Sequence, residues 1–155
     1  MLKNSETAVI GFASAGHSLC HLLVLLFPTV LLALEVEMEL SYKELAALAA
    51  TAAFLFGAGA LPAGWLGDRW NKTKLLEIYF YGSGAFTILT GFSQTPLMLA
   101  GGLTGIGLFA SLYHPVRMSW LVSRTTRTGT ALGVNGLFGS LGFVLAPLVA
   151  GSLTV

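Results

Sequence analysis

From the amino terminus onward, long apolar runs alternate with short polar breaks, and five runs reach the roughly 20 residues that span a bilayer. They cover about 8–34, 41–66, 75–92, 97–122 and 131–155. The first contains no Asp, Glu, Lys or Arg, is too long for a signal-peptide core and lacks a cleavage site, so it is expected to stay in the membrane. The breaks carry helix punctuation. Glu35, Glu37 and Glu39 read as an acidic loop, and Ser41-Tyr-Lys-Glu44 has the capping-box spacing of a helix start. Residues 67–74 are polar and basic, Ser93-Gln-Thr-Pro96 is a turn leading into a new first helical turn, and 123–130 carries Arg124 and Arg127. The pattern predicts an all-α, polytopic membrane helix bundle of about five transmembrane helices.

Composition sharpens this. Of 155 residues, 55% are hydrophobic and 10% charged, against about 25% charged in soluble domains. Eight Lys or Arg against seven Asp or Glu leave a net charge of +1, too little for a sequence-independent hold on nucleic acid. The single cysteine, Cys20, excludes an internal disulfide and a Cys-rich zinc module. If the spans alternate, Lys3, Arg69, Lys72, Lys74, Arg117, Arg124 and Arg127 share one side, and Lys43 stands on the other amid four glutamates. Because Lys and Arg are retained inside, the amino terminus is expected to be cytoplasmic, in the inner or plasma membrane of the cell. Trp65, Trp70 and Trp120 would then lie near the cytoplasmic interface, and Glu77 and Arg117 would be interface or gate residues that snorkel from helix ends.

Nineteen glycines suit close helix packing in lipid. Gly101 and Gly105 stand four apart in the fourth span, and Gly133, Gly136, Gly139, Gly142, Ala146 and Ala150 form a small-residue stripe in the fifth. Both helices are expected to contact protein.

Between spans two and three lies Gly64-Trp-Leu-Gly-Asp68-Arg69-Trp-Asn71-Lys72-Thr-Lys74. This loop resembles the signature of the major facilitator superfamily: a glycine, an aspartate four residues on, an adjacent arginine, then a glycine and basic residues. The resemblance implies a cytoplasmic gate built from Gly64, Asp68, Arg69 and Lys72. Asn71 stands for the second glycine, a place where a left-handed backbone would suit it, and Thr73 replaces a basic residue. In span five, Gly142-Phe-Val-Leu-Ala146-Pro147-Leu-Val-Ala150-Gly151 is similar to the Gly-x-x-x-Gly-Pro-x-x-Gly-Gly pattern of the superfamily's antiporters, with Pro147 bending the helix. Gly16-His17 in span one and Tyr113-His114-Pro115 at the end of span four resemble the fosmidomycin-resistance branch, with Tyr113 replacing a Phe and His21 replacing an acidic residue. The arginine that many drug-proton antiporters carry in span four is absent, with Gly101 near its place.

His17 and His21 lie one helical turn apart, His21 near the middle of span one, and an ionisable residue at that depth is by default a functional hypothesis. With a reference pKa near 6.5, histidine exchanges protons at physiological pH. Three readings stand for these residues: a proton or substrate site, a hydrogen-bonded structural role, or a metal ligand. Cys20 and His114 add possible ligands, but the sequence shows no close-spaced set that completes a tetrahedral site, so no metal is assigned. His114 would line the cytoplasmic mouth. Asn135 is an interhelical hydrogen-bond partner or a pathway residue. Nothing resembles a catalytic triad, a phosphate loop, a hydrolytic carboxylate pair or a cofactor site, so neither an enzyme nor a cofactor is expected.

The resemblance implies two six-helix halves with a substrate site between them. The chain corresponds to spans one to five of the amino-terminal half, a fragment whose carboxy-terminal half, or a partner chain, is expected elsewhere. The expected function is secondary transport, proton-coupled efflux or antiport of a small organic solute. The alternatives are a metabolite uptake carrier, a non-transporting interaction or assembly subunit with the same fold and, more distantly, a membrane metalloenzyme.

Overall fold

The structure, a computed structural model, describes residues 4–153; Lys3 and the last two residues of the fifth expected span lie outside them. Seven helices follow in order: α1 (Asn4–Met38), α2 (Tyr42–Ala58), α3 (Ala60–Arg69), α4 (Lys72–Gly91), α5 (Pro96–Ala110), α6 (Tyr113–Ser123) and α7 (Thr128–Leu153). No strand occurs among the described residues. The fold is an all-α membrane helix bundle.

Helix starts follow local sequence closely. Ser41 caps α2 through the full box, its backbone N–H donating to the Glu44 carboxylate at 2.9 Å and its hydroxyl accepting from the Glu44 N–H. Thr95 caps α5 with Pro96 in the first turn. Asn71 caps α4 by accepting from the Lys74 N–H at 3.2 Å. Its φ of −68° corrects the expected left-handed backbone: the residue is there as a cap, not as a glycine substitute. Glu35 and Glu37 are not in a loop, because α1 continues to Met38 and ends on Glu39 at φ 54°, a left-handed helix stop.

Two expected spans are broken inside. The second divides at Gly59 into α2 and α3, and the fourth divides at Ser111-Leu112 into α5 and α6. Proline explains both. Pro62 and Pro115 lack the N–H that would bond the carbonyls of Ala58 and Ser111, and their rings clash with those carbonyls. The breaks face each other: a Cβ on Gly59 would stand 2.8 Å from the Ser111 Cβ.

Four segments are long and apolar enough to cross a membrane, namely Ser5–Met38, Tyr42–Arg69, Pro96–Ser123 and Thr128–Ser152. The fifth expected span, α4, has the length at 20 residues but carries Lys72, Lys74, Glu77 and several polar positions that lower its hydropathy. It buries Leu75, Leu76, Tyr79 and Ser83 against its neighbours.

α1 pairs with α7 along most of its length, α5 lies between α2 and α4, and α6 touches α1, α3, α4, α5 and α7. Small residues set these contacts. On α7 the buried face is Ala131, Asn135, Gly139, Gly142, Ala146 and Ala150, whereas Gly133 and Gly136 are exposed and meet nothing, which narrows the expected stripe. On α5, Gly101 is exposed; the packing glycines are Gly102 against Thr90, Gly105 against Phe86 and Gly107 against the Ala52 backbone. One apolar core gathers Ile10, Leu75, Leu76, Val116 and Leu121; a second, towards the other end, gathers Phe27, Leu31, Leu45, Leu99 and Leu103.

Candidate functional site

His21 is the eighteenth of the 35 residues of α1, so it sits near the helix midpoint. Ser14, His17 and His21 share one face of that helix by their three- and four-residue spacing. The break before α6 redirects the chain so that Tyr113 and His114 turn into this face. The two dipeptides then interlock. Gly16 leaves room for Tyr113, whose hydroxyl would lie 2.8 Å from an added Cβ and donates to the Ala13 carbonyl at 2.6 Å. His114 lies beside His17 and His21, with ring centroids 5.2 and 5.3 Å away.

The ligating atoms of His17, His21 and His114 all lie within 4.8 Å of one another. Folding thereby adds a third member from a distant helix to the pair on α1. His17 is buried and His21 and His114 are half-buried. His17 Nδ1 stands 2.8 Å from the Asn135 backbone oxygen. A carbonyl only accepts, so Nδ1 carries the proton and Nε2 of the neutral ring carries the lone pair. That lone pair faces His21 Nε2 across 3.2 Å, a distance at which one proton is shared between two imidazoles. His21 also stacks on Phe143 of α7 at 4.3 Å, and Cys20 Sγ lies 3.9 Å from His114 Nε2.

α7 closes the site through its small residues. A Cβ on Gly139 would press on the His17 ring, and one on Gly142 would meet the Ser18 carbonyl and the His21 Cβ. The Ser18 hydroxyl donates to the Phe138 carbonyl. Asn135 does bridge helices, but through its main-chain oxygen. Its side-chain amide is buried, at 1% exposure, with neither atom partnered among the described residues.

Arg117, expected as an interface or gate residue, is buried at 4% exposure and so does not snorkel to the interface. Its guanidinium lies 5.7 Å from the Tyr113 ring, and its Nε has no partner among the described residues. It stands one helical turn after His114 on α6. Sequence reasoning missed it because seven basic residues were assigned to one interface together; its place one turn after His114 was the available signal. The buried Ser14 hydroxyl is likewise unpartnered.

Two apolar cavities flank the other half of α1. One of about 340 Å³ lies among Leu23, Phe27, Thr90 and Leu103, and one of about 260 Å³ lies among Phe27, Pro28, Ala52 and Phe56. No histidine lines either.

The Asp68 region is separate from the histidines. Gly67 packs tightly on Val116, with an added Cβ 3.3 Å from that side chain, whereas Gly64 has room against Pro115. Asp68 is exposed and makes no bond among the described residues. Arg69 stacks on Trp65 at 4.3 Å and donates to its carbonyl, and Lys72 opens α4. Lys74 pairs with Glu77 at 2.9 Å, which holds the Lys74 ammonium pKa above its ordinary value. Trp65 and Trp70 are exposed; Trp120 is not, being packed in the core with its indole N–H donating to Thr73 at 3.3 Å. In α7, Ala146 is fully buried, Pro147 and Gly151 face outward, and the helix runs unbroken through Pro147.

No curated protein and no solved structure matches the chain. The family model described as Major Facilitator Superfamily matches residues 9–155. With a bundle of long apolar helices and that match over nearly its whole length, the chain is an integral, multi-pass membrane protein and belongs to the major facilitator superfamily of transporters.

Proposed function

We propose that the chain forms the amino-terminal half of a proton-coupled secondary transporter that exports a small organic solute from the cytoplasm, with His17, His21 and His114 as the protonated path. The observation that carries this reading is the His17–His21 contact at 3.2 Å at the middle of an apolar helix, next to unpartnered Asn135 and Ser14 side chains. Ionisable side chains at mid-membrane depth are costly against lipid, so they belong on a face turned to protein or to a watered path. His21 and His114 are only half-buried within this chain, which suits a second half packed over them with the substrate between.

The Asp68 region fits a gate. Asp68 and Lys72 stand at helix ends without a mutual bond, available to pair with another helix end in one conformation and release it in the next. The basic residues of this region support a cytoplasmic location for it and for the amino terminus. The outward Pro147 beside the buried Ala146 supports the antiporter reading of α7.

The test is proton flux in inverted membrane vesicles from cells producing the chain together with its proposed carboxy-terminal half, energised with a pH gradient and challenged with a panel of small organic solutes. The reading expects at least one solute to dissipate the gradient, and His21→Gln to abolish the effect at unchanged protein level. Dissipation that survives His21→Gln, or none with any solute, overturns it.

A further inference from the structure

We propose that His17, His21 and His114 form a binding site for a divalent transition-metal ion of zinc-like preference. The inference goes beyond proton-coupled transport and stands whether or not the chain moves protons.

Three imidazoles stand within reach of one ion. Tetrahedral zinc with nitrogen ligands at about 2.0–2.1 Å separates those nitrogens by roughly 3.3 Å. His17 Nε2 and His21 Nε2 already stand 3.2 Å apart, and the third imidazole lies within 4.8 Å. A rotation of the half-buried His114 ring closes the remaining gap.

Orientation supports the same assignment. Metal-binding histidines usually donate their other ring N–H to a carbonyl or carboxylate, which fixes the tautomer and aims the lone pair. His17 does this through Nδ1 to the Asn135 carbonyl, leaving Nε2 aimed at the cluster centre. Beside that carbonyl, the Asn135 side chain is 1% exposed, and neither of its polar atoms meets hydrogen-bond geometry with a partner among the described residues. Three neutral imidazoles leave a fourth position open, unlike a closed structural site.

Charge selects the metal. The described cluster holds no carboxylate, so hard ions such as calcium and magnesium, which need oxygen ligands, are disfavoured, whereas imidazole suits zinc, cobalt, nickel and copper. Arg117, buried one turn after His114 on the same helix and 5.7 Å from the Tyr113 ring, brings a positive charge that opposes a cation at the cluster. Metal affinity is therefore expected to rise when that charge is removed.

The experiment titrates the detergent-purified chain, carried without a polyhistidine tag, with cobalt(II) alone and follows visible absorption. The expected result is one ion per chain with the intense bands of a tetrahedral site, displaced by zinc(II). His21→Gln and His114→Gln should each weaken binding by about tenfold or more, and Arg117→Gln should tighten it several-fold. Lowering the pH from about 7.5 to about 5.5 should release the ion, because the ligands must be neutral. Far-UV helicity and a single elution peak verify that each variant is folded, and the zinc displacement in the unaltered chain needs no variant. Weak octahedral absorption only, no zinc displacement, or unchanged binding in folded His21→Gln and His114→Gln overturns the proposal. A metal site without solute-driven proton flux would refute the transport reading alone; flux without cobalt binding would refute this one alone.

Discussion

Gly139 of α7 lies directly against the imidazole of His17: a Cβ there would come within 2.7 Å of Nδ1, the nitrogen that donates to Asn135. The missing side chain is what lets α7 approach closely enough for its main chain to orient the ring. Gly139→Ala should therefore lower the stability of the purified protein by about 1–3 kcal/mol through overpacking. Gly136→Ala, one turn earlier and facing open space, should leave it within about 0.5 kcal/mol. Thermal unfolding in detergent, followed by far-UV circular dichroism, distinguishes the two; equal melting temperatures would show that the approach does not depend on this residue.

Asn135 separates stability from function. Its amide is buried without partners, and replacing such a group by an apolar residue of similar size tends to be neutral or stabilising. Asn135→Leu should keep or raise the melting temperature while reducing solute-driven proton flux by about tenfold, or about 1.4 kcal/mol. A destabilised variant would indicate a hydrogen bond that the fold needs.

Tyr113 ties α6 to α1 by its hydroxyl to the Ala13 carbonyl at 2.6 Å. Tyr113→Phe keeps the ring against Gly16 and removes that bond, for an expected loss of about 1 kcal/mol. Chemical denaturation in mixed micelles measures this, and a null effect would mean that ring packing alone seats His114.

Pro115 keeps α5 and α6 apart. Pro115→Ala restores a donor for the Ser111 carbonyl and removes the ring clash, joining the helices across the break. Amide hydrogen exchange through 111–115 should slow by about tenfold or more as the local opening free energy rises, and flux should fall as His114 is turned away from α1. Unaltered exchange would place the cause of the break in the facing Gly59 instead.

Ser41→Ala should cost about 1 kcal/mol by removing the α2 cap, since the Glu44 carboxylate loses one of its two Ser41 donors and a backbone N–H loses its acceptor. Thermal unfolding checks this, and the effect should be independent of His21→Gln, the two sites lying on different contacts.

Much of the chain was legible because its signals are local. The Ser41 box and the Thr95-Pro96 start each act within a few residues, and each stands in the structure where the sequence places it. Two prolines were equally visible, yet the breaks at Gly59 and Ser111 went unread, because in lipid a proline is often absorbed by a continuous helix, as it is at Pro28 and Pro147. Arg117 was misplaced for a related reason. Loop-charge counting treats every basic residue near a span end as interfacial, and only packing shows that this one is enclosed.

By itself the sequence determined that the chain is a bundle of membrane helices with a mid-membrane histidine pair, since span length, charge distribution and the four-residue spacing of His17 and His21 depend on nothing beyond one helix. Tertiary structure alone decided that His114 joins that pair, and that Asn135, 118 positions from His17, orients it through a main-chain oxygen. The reason is physical. In a soluble helix the apolar stripe reveals which face is inward, but lipid and protein interior are both apolar, so the facing of α1, α6 and α7 leaves little periodic trace in hydropathy. Which faces meet is set by the fit of Gly139 and Gly142 to α1 and of Gly16 to Tyr113, a matter of shape between distant segments.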